Sequence, residues 1–477
     1  MSKLYLFGIG GTGARVLKAL SMLLASGVDM GVDTVVPVII DPDESNGDLT
    51  RTVGGLKRYK AIRQCLTFGQ ETKSSFFRTK IDDQGTGFEL RVADVGNKTF
   101  GTYMGFNSLS RENKAMMSLL FSQKNLNAQM QEGFKGNPNM GSVVLNDFCM
   151  PGNNALADLM QTFTEGDRIF IISSIFGGTG AAGFPLLLKT LRQAQQFGSF
   201  SNPAVISAAP IGALSVLPYF GLKADEASEI NMATFVSKAK SALTYYRNNL
   251  DTDALYYIAD DMTSAYENRE GSAAQRNDAH FIELAAALAV VDFARDKSVT
   301  RGAGIYKEFA TETAAAQLDM SMLSPSTRSV IVRPLVAFYM FAQFCRHHLP
   351  DTFGAAWAKA RGFSADMLLR DFYRDLGSFL GSFVDEWLRE MASNSRSFRA
   401  FNTEGLGGIF HSVVGYEPKP VSLFGRLVGN KDGFTLIDDE VAKASATVEK
   451  KLSDYDYFMN VHWMAIDNAV ARRLNLQ

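Results

Sequence analysis

Apolar residues fall into short, near-continuous runs separated by stretches of helical spacing, and the two alternate up to about position 296. Leu4-Tyr5-Leu6-Phe7 is a first buried strand over residues 3–7. Val16, Leu17, Leu20, Leu23 and Leu24 then recur at helical spacing, which predicts a helix over Ala14–Leu24. Thr34 to Ile40 is a β-branched run that ends at Asp41-Pro42-Asp43-Glu44, a second strand leading into an acidic loop. Pro42 disfavours helical geometry at Asp41 and helps end that strand. Arg168–Ser174, Pro203–Ala209 and Ala254–Ala259 read as further strands. Phe184–Ala194 and about 225–248 read as helices, with an irregular loop at Pro210–Phe220. Asn277-Asp278 opens an apolar helix (Phe281, Ile282, Leu284, Leu288, Val291), with Asp278 placed to cap it. Its middle is almost free of charge, which predicts burial all round.

The expected fold is therefore α/β, a doubly wound parallel sheet, followed by a mainly helical C-terminal region. We place a nucleotide-binding domain at 1–296 and the helical region at 297–477. The domain carries an insertion at about 50–165, polar and dotted with glycine, and its central helix runs over about 278–296. Beyond 300, Ser329–His347, Ala365–Met391 and Asp439–Leu474 look helical, and 403–433 reads as a loop-rich connection. The aromatics Phe338, Tyr339, Phe341 and Phe344 read as core, and His347-His348 suits a helix C-terminus.

Bulk properties narrow the function. Over 477 residues, apolar residues make up 46% and charged residues 21%, ordinary for a globular chain, and the net charge of −2 gives no global signal for nucleic acid. Three dispersed cysteines argue against a disulfide framework and a zinc site. No window approaches the ~18 uncharged apolar residues of a spanning helix. A cytoplasmic location is expected.

The candidate chemistry lies in two glycine-rich loops, Gly8-Ile9-Gly10-Gly11-Thr12-Gly13 and Phe176-Gly177-Gly178-Thr179-Gly180-Ala181-Ala182-Gly183. Each follows an apolar run and enters a helix. Such a turn brings bare backbone N–H groups to an anion at a helix N-terminus. The first loop alone matches the dinucleotide fingerprint GxGxxG, with Asp41 placed as a ribose-binding acid. A Rossmann-type enzyme using NAD(P) or ATP is thus one alternative.

The second loop resembles the glycine loop of the tubulin/FtsZ superfamily, GGGTG[ST]G after a strand, with its core GGTG intact. The first loop resembles that family's opening loop. Asp41-Pro42-Asp43 falls where tubulins carry Asp-x-Glu. Asn277-Asp278 resembles the FtsZ Asn-Asp that starts the central helix, and Ala208-Ala209-Pro210, with Pro218-Tyr219 further on, resembles the ribose loop. These elements keep the family's order over roughly residues 3–296.

The resemblance implies GTP/GDP held by Gly10, Gly11, Thr12 and Gly13 on the inner phosphates and by Gly177, Gly178, Thr179, Gly180 and Ala181 on the outer ones. Arg15, Pro210, Asn277, Asp278 and Phe281 would surround ribose and base, and Asp41 and Asp43 would position hydrated Mg2+. It also implies head-to-tail self-assembly into filaments under nucleotide control, with slow GTPase activity completed by a neighbouring subunit.

The sequence departs from the pattern at Phe176, at Ala182 and at Arg15, where FtsZ has asparagine. The family's Asn-x-Asp after the central helix is missing between 285 and 330. Asp292 and Asp296, four apart and so on one helix face, are the candidate water-positioning acids. A nucleotide-binding scaffold that does not hydrolyse is the other alternative.

Overall fold

The computed structural model describes all residues except 1, 44, 92–94, 96, 131–133, 135–136, 147–153, 198, 223–231, 261–264, 267–275, 311–314, 395, 403–407, 420–432 and 477. The expected helix start near 225, much of the 403–433 connection and Cys149 therefore lie outside the described residues.

Seven parallel strands form the main sheet: β1 (Lys3–Ile9), β2 (Thr34–Ile40), β3 (Lys80–Ile81), β4 (Arg168–Ser174), β5 (Ile211–Val216), β6 (Ala254–Ala259) and β7 (Ile305–Ala310). Their order is β3-β2-β1-β4-β5-β6-β7. β1, β2 and β4 are buried along almost their whole length, as strands covered on both faces must be. Pro37 sits inside β2 without breaking it. Its β1 neighbour is Leu6, while β3 pairs only with Thr34 and Val35. The missing N–H thus falls beyond the short outer strand.

Helices cover both faces. On one lie α1 (Gly10–Ala25), α2 (Gly47–Gln64) and, later in the chain, the central helix. On the other lie α3 (Pro138–Leu145), α4 (Gly178–Arg192) and α5 (Met232–Asn249). The central helix, α6, spans Phe281–Arg295 and is largely buried, as its uncharged middle requires.

The sheet differs from the sequence reading at β5 and β7, and at the short β3 within the expected insertion. Pro203–Ala208 is a short helix rather than a strand, with Pro203 at its first position, where a missing N–H costs nothing. The strand is instead Ile211–Val216, which lies within the expected loop. Its small residues looked like loop signals, but they make room for α6: a Cβ on Gly212 would lie 2.6 Å from the Phe293 ring. β7 carries Lys307 and Glu308, as an edge strand can, and so gave no apolar run.

The C-terminal region is helical: α7 (Pro325–His347), α8 (Asp371–Gly381), a π-helical segment at Ser382–Leu388 continuing into Arg389–Ser393, α9 (Gly433–Thr447) and α10 (Asp454–Leu474). It does not form a core of its own. One apolar cluster runs from Leu4 to Leu474. Phe76, Phe77 and Tyr59 meet Phe338 and Phe379, with ring centroids 5.2 to 6.2 Å apart. Each such pair contributes about 0.5–1.5 kcal/mol beyond its buried area. Phe338, Tyr339, Phe341 and Phe344 are all buried here. His348 follows α7, stacks on Phe434 and bonds Asp438 at 2.7 Å.

His462 of α10 is fully buried among the rings of Phe344, Trp357 and Phe458, and its Nδ1 lies 2.7 Å from the Phe458 carbonyl oxygen. Burial pushes its pKa down to about 4. The unfolded chain therefore takes up this proton first, and stability falls as pH drops from about 6.5 to about 4. At pH 4.5 this one residue should cost about 2–3 kcal/mol. His462→Phe removes the titration and keeps a ring. Denaturant unfolding at pH 7 and pH 4.5 should show a smaller acid loss in the variant, and an equal loss would show that His462 is solvated.

Candidate functional site

The strand order reverses between β1 and β4, and both glycine loops leave the carboxyl ends of these adjacent strands. In an open α/β sheet, this is where a crevice for ligand forms. The loops touch. Gly10 has φ +72°, and a Cβ there would lie 3.5 Å from Thr179 Cβ and 3.7 Å from Gly180 N. Each helix is drawn tight to its own strand. A Cβ on Gly13 would be 2.4 Å from the Gly8 carbonyl carbon, and one on Gly180 would be 2.8 Å from the Ser174 carbonyl oxygen.

Neither helix is capped. α1 starts after Ile9 and α4 after Gly177, neither of which makes a side-chain cap bond, and neither helix has an acidic residue in its first turn. By contrast Asn46 caps α2, Asn137 caps α3, and Ser324 and Ser453 cap α7 and α10. Two sets of helix-start N–H groups therefore converge at one crevice and call for water or an anion. Gly10, Gly11, Thr12, Gly13, Gly177, Gly178, Thr179 and Gly180 all lie in these two turns. Ala181 lies on another face of α4, where it lines a cleft together with Phe176 and Gly177.

The acidic loop lies at the carboxyl end of β2, beside β1. Asp41 and Asp43 are buried, and the Asp43 N–H donates to Asp41 Oδ1 at 3.1 Å. Asp43 Oδ1 accepts from the Ser45 hydroxyl at 2.7 Å. Burial pushes the Asp41 carboxyl up to about 7, and the nearby Asp43 and Asp48 add to this. Among the described residues no group of three or more His, Cys, Asp or Glu is placed to hold a metal directly.

Arg15 lies beneath the first loop and is not open to a ligand. Its Nε bonds Glu283 at 2.5 Å, one terminal nitrogen bonds Asp48 at 2.8 Å, and the other lies 3.2 Å from the Tyr219 hydroxyl. Burial alone would lower its pKa, but Tyr219, Glu283 and Asp48 outweigh that and hold it charged. Asp48 also accepts from the backbone and side-chain nitrogens of Asn277, at 3.1 and 3.0 Å. Arg51 links Asp48 and the Asn277 carbonyl to Glu390 of the C-terminal region, and Glu390 also accepts from the Ala279 N–H. Arg15 and Asn277 are thus committed to buried carboxylates.

Other expected positions fall elsewhere. Asp278 is exposed and is not the helix cap. His280 caps α6 in a reciprocal box with Glu283, and the helix starts at Phe281. Phe281 packs on Phe398, with centroids 5.2 Å apart. Pro210 needs correction. It precedes β5 and its carbonyl accepts from the N–H of Ile169 near the start of β4, so it lies at the amino end of the sheet, away from the loops. The expectation placed a strand one element too early. The loop at the carboxyl end of β5 holds Pro218 and Tyr219 instead.

Asp292 and Asp296 do share a face, and Lys307 Nζ bonds them at 2.5 and 3.4 Å. Tyr256 donates to Asp292 at 2.8 Å. They close the far end of α6, about 20 Å from its start, given 1.5 Å of rise per residue. Arg168 at the start of β4 bonds the carbonyls of Phe293 and Ala294 at that end. The two acids therefore lie at the opposite end of the sheet from the glycine loops. Asp48, Glu283 and Glu390 carried no local signal, because their partners are up to 339 positions away.

No protein-family model matches the chain, and no curated protein matches it. Among solved structures, the chain is similar to CetZ from Methanosaeta thermophila strain DSM 6194, at 13% identity over 62% of this chain and 56% of that one, with a TM-score of 0.32. It is also similar to CetZ2 from Haloferax volcanii as a GTPγS-bound protofilament, at 18% identity over 62% of this chain and 61% of that one, with a TM-score of 0.29. The chain spans less than two thirds of the length of either. No described helix is long and apolar enough to cross a membrane.

Proposed function

We propose that this protein binds a nucleoside polyphosphate between its two glycine loops and assembles head to tail in the manner of tubulin and FtsZ. The observation that carries the reading is the convergence of two uncapped helix starts, α1 and α4, at the point where the strand order reverses. Backbone N–H groups of Gly10–Gly13 and Gly177–Gly180 take the phosphates from two sides, and the Thr179 hydroxyl adds a donor. The ligand is GTP on the resemblance of the loops and their order. Asp41 and Asp43 fit a hydrated magnesium ion held through water. A cation would relieve the cost of ionising the buried Asp41, with waters and the phosphates completing its coordination.

Assembly follows from the two poles of the sheet. The loops lie at its carboxyl end and Asp292 and Asp296 at its amino end, so a head-to-tail contact is heterologous and continues into a filament. Competition among GTP, ATP and NAD for the purified chain, with and without magnesium, tests the reading. Preference for GTP with magnesium supports it. Preference for NAD favours the dinucleotide enzyme that the first loop alone suggested.

One observation favours a second reading, a scaffold that binds but does not hydrolyse: Lys307 neutralises both candidate acids. Asp292→Asn and Asp296→Asn separate the two. If the acids orient water, turnover in the assembled state should fall at least about a hundredfold, the lower end of the range for loss of one positioned acid–base group, with nucleotide affinity unchanged. Wild-type turnover in both variants would exclude them from catalysis.

A further inference from the structure

Arg15, Asp48, Arg51, Glu390 and Lys18 form a chain of alternating charge that starts and ends on α1, beneath the first glycine loop. Arg15 and Lys18 stand one turn apart on α1, and Asp48 and Arg51 one turn apart on α2. Glu390 follows the π-helical turn at Ser382–Leu388, a backbone form frequent at functional sites. Each carboxylate is shared between two cations. Asp48 lies 2.8 Å from Arg15 and 3.3 Å from Arg51. Glu390 lies 2.6 Å from Arg51 and 3.9 Å from Lys18, which also reaches Glu386 at 3.4 Å. No side chain of this ring is more than 11% exposed, so water and salt screen its charges little.

The ring meets the loop on one side and the C-terminal region on the other. A Cβ on Gly11 would lie 3.6 Å from an Arg15 terminal nitrogen and 3.9 Å from Asp48 Oδ2. The other Arg15 terminal nitrogen donates to Thr12 Oγ1 at 3.4 Å. At the far side, Glu390 accepts the Ala279 N–H at 2.9 Å, at the entry to α6. Trp387, three residues before Glu390 and 1% exposed, has an indole N–H with no hydrogen-bond partner.

We propose that Glu390 is a positioning residue of the nucleotide crevice: through Arg51 and Asp48 it fixes Arg15, and so the floor on which Gly11 and Thr12 present their N–H groups to phosphate. This rests on the two-loop reading above and adds that the C-terminal region sets the affinity of that site. A polyphosphate on the loop draws on Arg15. Asp48 then favours one arginine at the expense of the other, and the change reaches Glu390 and Trp387. The coupling is reciprocal, so weakening the ring weakens phosphate binding.

The test uses the full chain, labelled GTP in magnesium, and thermal unfolding. Glu390→Gln keeps the size of the side chain and removes its charge. It should raise the Kd of the folded protein about tenfold, within the range of roughly 5–150-fold for coupled sites. Glu440→Gln is the control. Glu440 is 2% exposed in the same region and pairs with Arg472 at 2.7 Å, outside the ring, so its loss should lower stability and leave the Kd unchanged. Lys18→Met opens the ring from α1 and should weaken GTP in the same direction, which keeps the test decisive if Glu390→Gln does not fold. GTP should also change the emission of Trp387, read as the difference between the native chain and Trp387→Phe. Wild-type affinity in the folded ring variants, or no GTP-dependent change at Trp387, would overturn the inference and leave the nucleotide reading standing. An equal loss of affinity in Glu440→Gln would overturn it too, since affinity would then merely follow stability. A native chain that binds neither GTP nor pyrophosphate would overturn the nucleotide reading, and this inference with it.

Discussion

Gly10→Val is expected to abolish nucleotide binding, raising the Kd for labelled GTP at least about a hundredfold, or roughly 2.7 kcal/mol. Gly10 holds φ +72° at the start of α1, and its open side faces Thr179 and Gly180 of the second loop. A branched side chain there would stand between the two sets of N–H groups, where the phosphates would lie. It would also pull the backbone out of a conformation that costs L-residues about 1–2 kcal/mol. Gly10→Ala carries most of the backbone strain with little of the bulk. The pair therefore separates strain from blockage, with thermal unfolding as the check on folding. Fluorescence polarisation in magnesium reads the affinity. A folded Gly10→Val that binds GTP like the wild type would remove the two-loop site.

Arg15→Met is expected to destabilise the protein by about 3–5 kcal/mol, read as a lowered denaturant midpoint. The substitution keeps an apolar stem but leaves Asp48 and Glu283 as carboxylates at 0% and 2% exposure without their shared cation. Loss of one partner from a buried ion pair costs far more than the pair contributes, because the remaining charge stays desolvated. Arg15→Met combined with Glu283→Gln should recover part of the loss, since the stranded Glu283 charge is gone while Asp48 keeps Arg51 at 3.3 Å. A loss under about 1 kcal/mol would mean that water reaches the network and that it behaves like surface ion pairs.

The parallel sheet and its glycine loops were legible because both signals are local. β1, β2, β4 and β6 each read as an uninterrupted apolar run, since burial on both faces removes the polar alternation. Gly10, Gly13 and Gly180 read as tight turns because close backbone approach excludes a Cβ. The central helix was legible from its missing charges.

What the chain concealed depends on partners distant in sequence. β5 hid behind Gly212, whose smallness serves the Phe293 ring. β7 hid because an edge strand tolerates Lys307 and Glu308. Arg15 could be seen to depart from a family pattern, but its role was set by Glu283, 268 positions on. The C-terminal helices were predictable as helices, yet nothing in them announced that Phe338 and Phe379 would complete the core beneath α2. The sequence by itself determined the order of strands and helices and the two turns where backbone must come close, because spacing and side-chain size act over a few residues. The tertiary structure alone decided which charges are buried together, which end of the sheet each loop reaches and which faces of α4 pack against other elements, because those depend on packing between elements hundreds of positions apart.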